Sequence, residues 1–341
     1  MSDPKSNSLN PLIQGPSISS VTEDEKRPLW SVMIPTFNRS EYLEEALKCI
    51  LVQDPGPDKM HIEVIDNYST ESDPESLIKK IGQQRISFYR QPKNIGLVGN
   101  LTACIQRSRG HLVHILHDDD LVTPGFYTQM QEAFKKEPSI GAAFCRTRFI
   151  TAMGRSIKLF KRQRKTSGIL ENWLERSAIE NLIQPPSMVV RRSAYEKLGG
   201  FNPNLVHACD WEMWTRIAAH YPVWYEPQVL ACSRMHSLSE SAGFIRSAEN
   251  IRDERRAIEI ICAYLPSSKA KKLYKKVNSN CTLWNIAGAS RIFASGNSAA
   301  ACTQVREALR GQLPSVKAMG MLAALPLRSV GVYLKNMLNY S

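Results

Sequence analysis

Short apolar runs alternate with amphipathic stretches through the first half of the chain. Asn38 and Glu41 have the spacing of a helix capping box, apolar residues then recur at helical spacing from Leu43 to Leu51, and Pro55 follows as a stop signal. Short buried strands that alternate with helices form parallel sheets. The pattern therefore predicts an α/β fold with a mostly parallel sheet flanked by helices. Four runs are predicted as its strands: Trp30–Ile34, His61–Asp66, Ile86–Arg90 and His111–Leu116.

Composition divides the chain into three parts. Residues 1–28 are polar and rich in Ser, Pro and Asn, which predicts a disordered leader. Residues 29–240 carry the alternating α/β pattern and form the predicted first domain. Residues 241–341 are basic and are predicted to be mainly helical, with breaks at Pro266, Gly296 and Pro314.

The net charge of +12 is concentrated in two places. From Arg246 to the end, fifteen Lys and Arg stand against five Asp and Glu, and the segment Arg155–Lys165 holds six basic residues and no acidic one. An excess of this kind indicates an anionic partner, such as nucleic acid, anionic lipid or a phosphate-bearing substrate.

Other features of the composition exclude whole classes of protein. The chain has no run of about 18 apolar residues, and its first residues lack the pattern of a signal peptide. Its eight cysteines include no CxxC pair, which argues against a zinc site and against a disulfide framework. We therefore exclude a polytopic membrane protein and expect a reducing, cytoplasmic location.

Three consecutive aspartates, Asp118, Asp119 and Asp120, follow the fourth predicted strand. We call them the aspartate cluster. They fall at the carboxyl ends of the strands, where the ligand crevice of an open α/β sheet lies. Adjacent carboxylates repel one another unless a cation lies among them, and hard oxygen ligands favour Mg²⁺ or Mn²⁺. The cluster is predicted to hold such an ion on a diphosphate. The alternative is a solvated acidic turn that caps a helix starting near Thr123.

Other polar residues follow neighbouring strands. Asp66 ends the second strand, where its carboxylate could bind a nucleobase or ribose, or form an Asx-turn with Asn67 and Ser69. Asn94 and Gly96 follow the third strand. They could take part in binding or cap the next helix, and the cap is the simpler interpretation.

Taken together, these motifs resemble those of family 2 glycosyltransferases of the GT-A fold. The order and spacing of four motifs are more specific than any one of them. The resemblance covers about residues 29–240 and includes two downstream segments, Gly199–Asn202 with Asp210–Arg216, and Arg234–His236. The four motifs are Trp30–Asn38, His61–Thr70, Asn94–Gly96 and Leu116–Leu121.

The resemblance implies a metal-dependent, inverting transfer of a sugar from a nucleotide-sugar, commonly a UDP-sugar. Asp210 matches the catalytic base, and His236 matches a residue near the metal and the diphosphate. The implied metal ligands are the aspartate cluster and His236. Within the cluster, Asp119 could be the residue that binds the metal. The nucleotide-binding residues that the resemblance implies are Pro35, Thr36, Asn38, Arg39, Asp66, Asn94, Gly96 and Asp118.

The chain departs from the family pattern at several positions. Cys209 precedes Asp210 where many members have Glu, and Asn67-Tyr68 replaces the frequent Asp-Gly after Asp66. His117 occupies the first position of the usual acidic cluster, which leaves open which aspartate binds the metal. The Gln-x-x-Arg-Trp motif of processive synthases is absent, which predicts the addition of a single sugar.

Ordinary structural roles compete with some of these assignments. Asp210 could simply cap the helix that follows it, and Glu212 is the second candidate for the base. His236 and Arg234 could form a surface pair. The tryptophans of the first domain are expected mainly in the core, although one or two could stack on an acceptor sugar: Trp173, Trp211, Trp214 and Trp224.

The leading hypothesis is a glycosyltransferase that acts on a saccharide or lipid-linked saccharide in cell-surface polysaccharide biosynthesis, at the cytoplasmic face of a membrane. A nucleotidyltransferase that makes nucleotide-sugars is one alternative, but the first strand leads into Pro35–Asn38 without a glycine-rich phosphate loop. A non-enzymatic basic protein is the other. The basic segment lacks a nucleic-acid motif, so we expect no nucleic-acid partner. Instead, we expect this segment either to bind a membrane peripherally or to pack on the enzyme domain.

Overall fold

The computed structural model describes residues 15–21, 26–82, 84–237, 239–310 and 315–323. The chain divides into two compact units. The first runs to Trp173 and resumes over Asn181–Met235, and the second comprises Leu174–Glu180 and the chain from His236 onward. The division after Met235 lies close to the boundary predicted near residue 240. Among the described helices, none combines the length and the apolar character that crossing a membrane requires.

The first unit is built on one sheet whose strand order is β3-β2-β1-β4-β9-β6-β10-β5, with β7 paired to β6 and β8 paired to β10. Strands β3, β2, β1 and β4 are mutually parallel, β9 runs antiparallel between β4 and β6, and β10 is parallel to β6. This confirms the predicted α/β sheet flanked by helices. The described strands are β1 (Trp30–Thr36), β2 (Met60–Asp66), β3 (Ser87–Arg90), β4 (Leu112–Ile115), β5 (Leu121–Val122), β6 (Ala142–Thr151), β7 (Ser156–Leu159), β8 (Gly168–Ile169), β9 (Met188–Arg191) and β10 (Val223–Met235).

Helices cover this sheet with their apolar sides. In α1, for example, Leu43, Leu47 and Ile50 are fully buried at helical spacing and join one apolar core with β1 and β2. The described helices up to β10 are α1 (Ser40–Leu51), α2 (Pro74–Gly82), α3 (Gly96–Arg107), α4 (Phe126–Lys136), α5 (Trp173–Ile179), α6 (Arg192–Leu198) and α7 (Cys209–His220).

Strand β1 continues through Pro35 instead of ending before it. The carbonyl of Met33 points toward β4 and accepts from Leu116 N–H, whereas the carbonyl of Thr36 points toward β2 and accepts from Asn67 N–H. By the alternation of a strand, Pro35 faces the β4 side, where β4 has already ended opposite Met33. The missing N–H of proline therefore costs no ladder hydrogen bond.

Part of the predicted disordered leader is packed against the first unit. Residues 15–21 bury Ile18, the carbonyl of Pro16 accepts from Gly200 N–H at 2.7 Å, and the carbonyl of Ser19 accepts from the Arg192 guanidinium at 3.1 Å. These contacts are made mainly by the backbone, so the polar composition gave no sign of them. Residues 1–14 and 22–25 of the predicted leader lie outside the described residues.

The second unit is helical, as its composition predicts, and has both an apolar core and a buried polar cluster. Ala248, Ile251 and Ile286 belong to the apolar core. Asn250 donates to Asn285 at 3.1 Å, and Asn285 donates to Glu254 at 2.9 Å. The helices of this unit after β10 are α8 (Glu240–Ser247), α9 (Glu249–Ala263), α10 (Ser267–Ala294), α11 (Ser298–Leu309) and α12 (Val316–Ala323).

Glu254 is the titratable centre of this polar cluster. Burial raises the pKa of Glu254 from 4.5 to about 7, although hydrogen bonds from Asn285 and Asn250 oppose the rise. Between pH 4.5 and about pH 7, the folded chain therefore keeps a proton on Glu254 that the unfolded chain has lost. Stability from this group is present below about pH 4.5 and is lost as the pH rises to about 7.

We expect Glu254→Gln to raise the stability of the second unit more at pH 8 than at pH 4.5. At pH 8 the wild-type carboxyl group must ionise while it is buried, whereas the amide stays neutral. The gain in free energy of unfolding should be roughly 1–3 kcal/mol, where the upper figure is the full pKa difference and the lower one allows for residual solvent access. Urea unfolding of both proteins at the two pH values measures it. Glu249→Gln is the control, since arginines lower the pKa of Glu249. An equal effect of Glu254→Gln at both pH values would contradict the assignment.

Candidate active site

Several of the residues predicted to bind the nucleotide or the metal lie at the carboxyl ends of β1, β2 and β4. Thr36 and Asp66 are register partners at the ends of β1 and β2. The aspartate cluster lies in the short connection between β4 and β5, and β5 in turn pairs with Ala231 and Cys232 of β10. This topology brings the end of β10 beside the cluster.

The aspartate cluster is buried, with Asp118, Asp119 and Asp120 only 3%, 7% and 4% exposed, so it is not a solvated turn. The helix predicted near Thr123 begins at Phe126 instead, because Thr123 N–H bonds the carbonyl of Leu230 in β10. Burial of three adjacent carboxylates requires compensation by donors and cations around them.

On one side that compensation comes from the end of β1. Thr36 Oγ1 donates to Asp118 Oδ2 at 2.7 Å. Arg39 Nη1 lies 3.3 Å from Asp118 Oδ1 and 3.0 Å from Asp119 Oδ2, so one guanidinium bridges two carboxylates. Arg39, which the resemblance implies as a nucleotide-binding residue, is therefore a charge partner of the cluster.

Arg234 supplies the compensation from β10, a role that the sequence did not reveal. Its backbone N–H donates to Asp120 Oδ1 at 2.9 Å, and its Nε donates to the carbonyl of Asp119 at 2.8 Å. The guanidinium also pairs with Glu45 at 2.6 Å and lies 4.6 Å from the centre of the Tyr42 ring. Arg234 is buried, so the surface pair considered for it is wrong. In the sequence Arg234 appeared only as the first residue of the Arg234–His236 segment of the resemblance.

The cluster still carries more negative charge than these groups favour. Burial, and then the charge of Asp119, raises the pKa of Asp118 to about 7 despite Arg39 and Thr36. The same two causes raise the pKa of Asp120 well above its ordinary value. A divalent cation at this position would favour the ionised carboxylates.

Three side chains can supply ligands to such a cation. His117, Asp119 and Asp120 each offer one ligand atom, and these atoms lie within 4.8 Å of one another. Burial lowers the pKa of His117, which favours the neutral imidazole that binds metals. His117 appeared in the sequence as a departure from the acidic pattern, but its ring is compatible with the site.

The geometry separates the predicted metal ligands. Asp119 and Asp120 belong to the possible metal site, whereas Asp118 is engaged by Thr36 and Arg39. His236 directly follows β10 and is grouped with the second unit, where its carbonyl accepts from the Ser239 hydroxyl. Its role as a ligand stays a prediction.

The residues predicted to bind the nucleotide form a network across the strand ends. Asp66 Oδ1 accepts from Ser69 N–H at 3.0 Å and from the Ser69 hydroxyl, so the Asx-turn is present, while Arg90 Nε lies 3.6 Å from Asp66 Oδ2. Asn38 does not cap α1, which begins at Ser40. Its amide oxygen accepts from the backbone N–H groups of residues 70 and 71, tying the end of β1 to the loop after β2.

Asn67 and Asn94 join the second and third motifs. Asn94 Oδ1 accepts from Gly96 N–H at 2.8 Å and from Asn67 Nδ2 at 3.0 Å, while Ile95, not Asn94, occupies the N-cap position of α3. Asn67 Oδ1 accepts in return from Ile95 N–H at 2.9 Å. An amide side chain both donates and accepts, so Asn67 makes a pair of bonds that a carboxylate could not complete.

Tyr68 adopts a backbone conformation that favours glycine, with φ 69°. The resembling family frequently has Gly at this position. The Arg90 guanidinium lies 5.1 Å from the centre of the Tyr68 ring, close enough for a cation–π contact. This contact offsets part of the roughly 1 kcal/mol cost of the conformation.

Asp210 lies in the first turn of α7, one residue beyond the helix start, while Ala208 occupies the N-cap position. Asp210 Oδ1 accepts from Trp211 N–H at 2.6 Å, and Oδ2 accepts from Asn181 Nδ2 at 3.2 Å. The carboxylate thus has the favourable charge for a helix start without being the cap. Asn181 was not predicted as a partner, because it is distant in sequence.

Glu212 is excluded as the alternative base by its own partners. Its carboxylate makes two 2.9 Å contacts to the Arg216 guanidinium, and both side chains are completely buried. Arg216 also donates to the carbonyls of Leu198 and Gly200. Glu212 therefore stabilises the loop that precedes α7 and does not reach a substrate.

The sheet and the helices that flank it have the GT-A fold. The chain is similar to the Staphylococcus aureus enzyme TarS, residues 1–349, solved in complex with UDP-GlcNAc: 13% identity, TM-score 0.60, with 89% of each chain covered. It is also similar to the mannosyltransferase PcManGT of Pyrobaculum calidifontis, solved with GDP-Man and Mn²⁺: 21% identity, TM-score 0.56, with 92% of this chain and 88% of the other covered.

The sequence comparisons give the family. Residues 31–199 match the model of glycosyl transferase family 2, so the chain contains a domain of that family. An uncharacterized protein of Mycobacterium tuberculosis is 26% identical over 72% of this chain and 80% of its own length. An uncharacterized glycosyltransferase of Methanocaldococcus jannaschii is 27% identical over 57% of this chain and 66% of its own length.

We expect Asp119→Asn and Asp120→Asn to abolish Mn²⁺-dependent binding of UDP, because each variant replaces a charged ligand by a neutral one of the same size. The loss of affinity should exceed the roughly 10–100-fold effect that is usual when a residue contacts a metal ligand but not the metal itself. Calorimetric titration of UDP with Mn²⁺, repeated with EDTA, measures it.

Asp58→Asn is the matched control, since Asp58 is exposed and pairs with the exposed Lys26, away from the aspartate cluster. Circular dichroism establishes that each variant is folded. Wild-type affinity in both cluster variants would show that these two side chains do not hold the ion.

Proposed function

We propose that the chain transfers one sugar, with inversion, from a nucleotide-diphosphate sugar to a saccharide or lipid-linked saccharide in cell-surface polysaccharide biosynthesis. The observation that carries the proposal is the buried aspartate cluster with its vicinal His117, at the strand ends that also hold Asp66 and Thr36. A buried group of carboxylates with incomplete charge compensation suits a cation–diphosphate pair.

The donor side follows from these contacts. Asp66 and Thr36 are the proposed ligands of the base and the ribose, which is supported by their pairing at the strand ends and by the hydrogen bond from Thr36 to Asp118. UDP is the proposed nucleotide of the donor, in keeping with the family resemblance and with the UDP-GlcNAc bound by TarS. The ligand set of one imidazole and two carboxylates suits Mn²⁺ better than Mg²⁺, which prefers oxygen alone. When bound, the cation supplies Lewis-acid stabilisation of the leaving diphosphate.

Asp210 is the proposed general base. In a single displacement, the acceptor oxygen forms a bond to the anomeric carbon as the bond from that carbon to the diphosphate breaks, which inverts the configuration. The acceptor proton passes to the Asp210 carboxylate. Asn181 donates to Asp210 Oδ2 and so fixes the rotation of the carboxyl group.

We expect Asp210→Asn to lower kcat by roughly 10²–10⁴-fold, the usual share of general-base catalysis, with little change in the KM of the donor. The amide keeps the size of the side chain but cannot accept the proton. Because Asp210 is in the first helical turn, the loss of its charge should cost only about 0.3–1 kcal/mol of stability. Transfer assays with thermal unfolding separate the two effects.

Asn181→Ala provides a second, graded test. Since Asn181 only orients the base, we expect a smaller fall in kcat than for Asp210→Asn, with donor binding retained. Asp73→Asn, at an exposed carboxylate, should leave transfer unchanged. Full activity of Asp210→Asn would remove the single-base mechanism from this helix.

We further propose that the second unit binds anionic lipid at the cytoplasmic face of a membrane. Support comes from α10, where four lysines project within an arc of the helix and are exposed, beside the exposed Tyr274. Lysines clustered with an aromatic residue suit an anionic lipid surface. The four are Lys271, Lys272, Lys275 and Lys276.

We expect replacement of these four lysines by Gln to release the chain from vesicles that contain anionic lipid. Each Lys near such a surface contributes about 1 kcal/mol, and salt weakens the attraction. Vesicle co-sedimentation at low and high salt measures the change. The control replaces Arg155, Lys158, Lys161 and Lys165 of the first unit by Gln. Equal sedimentation of wild type and the α10 variant would remove the membrane proposal.

A further inference from the structure

A cavity of about 330 Å³ lies in the first unit, away from the aspartate cluster. It is bounded by α4, by the residues before β8 and by the first part of β10. Ligand pockets usually measure about 300–1,000 Å³, so the cavity has room for a small ligand. The lining residues that matter for its chemistry are Gln129, Lys136, Ser167, Trp224, Glu226 and Gln228.

An irregularity in β10 shapes the cavity wall. The pairing of β10 with β6 shifts register between Glu226 and Val229, and Pro227 in this stretch has no N–H to offer. Gln228 N–H instead donates to Glu226 Oε1 at 3.0 Å. Such bulges redirect side chains and are frequent beside binding sites. Here the bulge fixes the Glu226 carboxylate at the cavity.

Glu226 offers an unused acceptor in this wall. The residue is only 6% exposed, and within the described part of the chain its Oε2 accepts no hydrogen bond. The atom is not sealed off from solvent, since Glu226 lines the cavity. A hydroxyl group of a ligand in the cavity could therefore donate to it.

The remaining lining suits a polyhydroxylated and uncharged ligand. Trp173, Trp211 and Trp214 are buried in the core, whereas Trp224 is half-buried and lines the cavity, so it is the tryptophan placed to contact a sugar. Amides and hydroxyls supply both donors and acceptors. With Glu226, Glu132 and Lys136 as its ionisable groups, the lining shows no basic excess that would select a phosphate.

We propose that this cavity binds a neutral saccharide, namely a part of the acceptor or product glycan remote from the transferred sugar. Because of the register shifts, Glu226 pairs with Cys145 and Arg234 with Ile150, five positions apart in β6, or roughly 17 Å in an extended strand, so the cavity is distinct from the donor site. The choice of a glycan as the ligand class rests in part on the proposed function. The binding itself needs neither donor nor metal.

The test is saturation-transfer NMR on the full chain with neutral oligosaccharides of glucose, mannose, galactose and N-acetylglucosamine, without nucleotide and with EDTA. We expect at least one of them to bind. Glu226→Gln keeps the acceptor for Gln228 N–H but loses the free carboxylate oxygen, so binding should weaken about 10-fold, the effect of about 1.4 kcal/mol. Ser167→Trp, at an exposed loop position, should fill the cavity and abolish binding.

Ser156→Trp is the matched control, because Ser156 is an exposed serine of β7 outside the lining, and it should bind as wild type does. Binding that survives Ser167→Trp, competition by UDP, or no bound oligosaccharide would overturn the proposal. Oligosaccharide binding without any transferase activity would count against the proposed function alone. Transfer without oligosaccharide binding would count against the cavity alone.

Discussion

Three adjacent carboxylates held out of water are the constraint on which the first unit depends. Removing a charge from water costs several kcal/mol, and the cost is recovered only with well-placed partners. Arg39 approaches from the loop before α1, and Arg234 approaches from β10. Two segments far apart in sequence are thereby tied to the connection between β4 and β5. Burial nevertheless raises the pKa of Asp118 and of Asp120, and a divalent cation among the carboxylates would oppose that rise.

A second buried ion pair organises the region before Asp210. The Glu212–Arg216 pair lies within α7, but the guanidinium also binds the carbonyls of Leu198 and Gly200. Gly200 in turn donates to Pro16, and a Cβ atom on Gly200 would lie 2.9 Å from the Thr102 side chain. The loop that leads to α7 is therefore held from both sides. Its fixed path determines where Asp210 stands, so the proposed base is positioned by groups that never touch a substrate.

The sheet and the strand-end residues could be predicted from the sequence, because buried strands leave apolar runs and parallel strands end at a common edge. Helix starts were less predictable. Asn38 looks like a cap, yet its side chain bonds the loop after β2, since a local pattern does not show a partner 32 positions away. Arg234 and Asn181 were missed for the same reason. Their partners Asp119, Asp120 and Asp210 are brought near only by the folded sheet.

The departures from the family pattern are matched by changes in their surroundings. Asn67 replaces a carboxylate, and the Asn94 side chain completes its amide hydrogen bonds. Tyr68 replaces glycine, and Arg90 lies against its ring. His117 replaces an acidic residue and remains within reach of Asp119 and Asp120 as a ligand. Each substitution changes the atoms but keeps the hydrogen bond, the backbone turn or the ligand that its position requires. All three follow the ends of β2 and β4, so the chain keeps the backbone arrangement at these strand ends while it presents different side chains there.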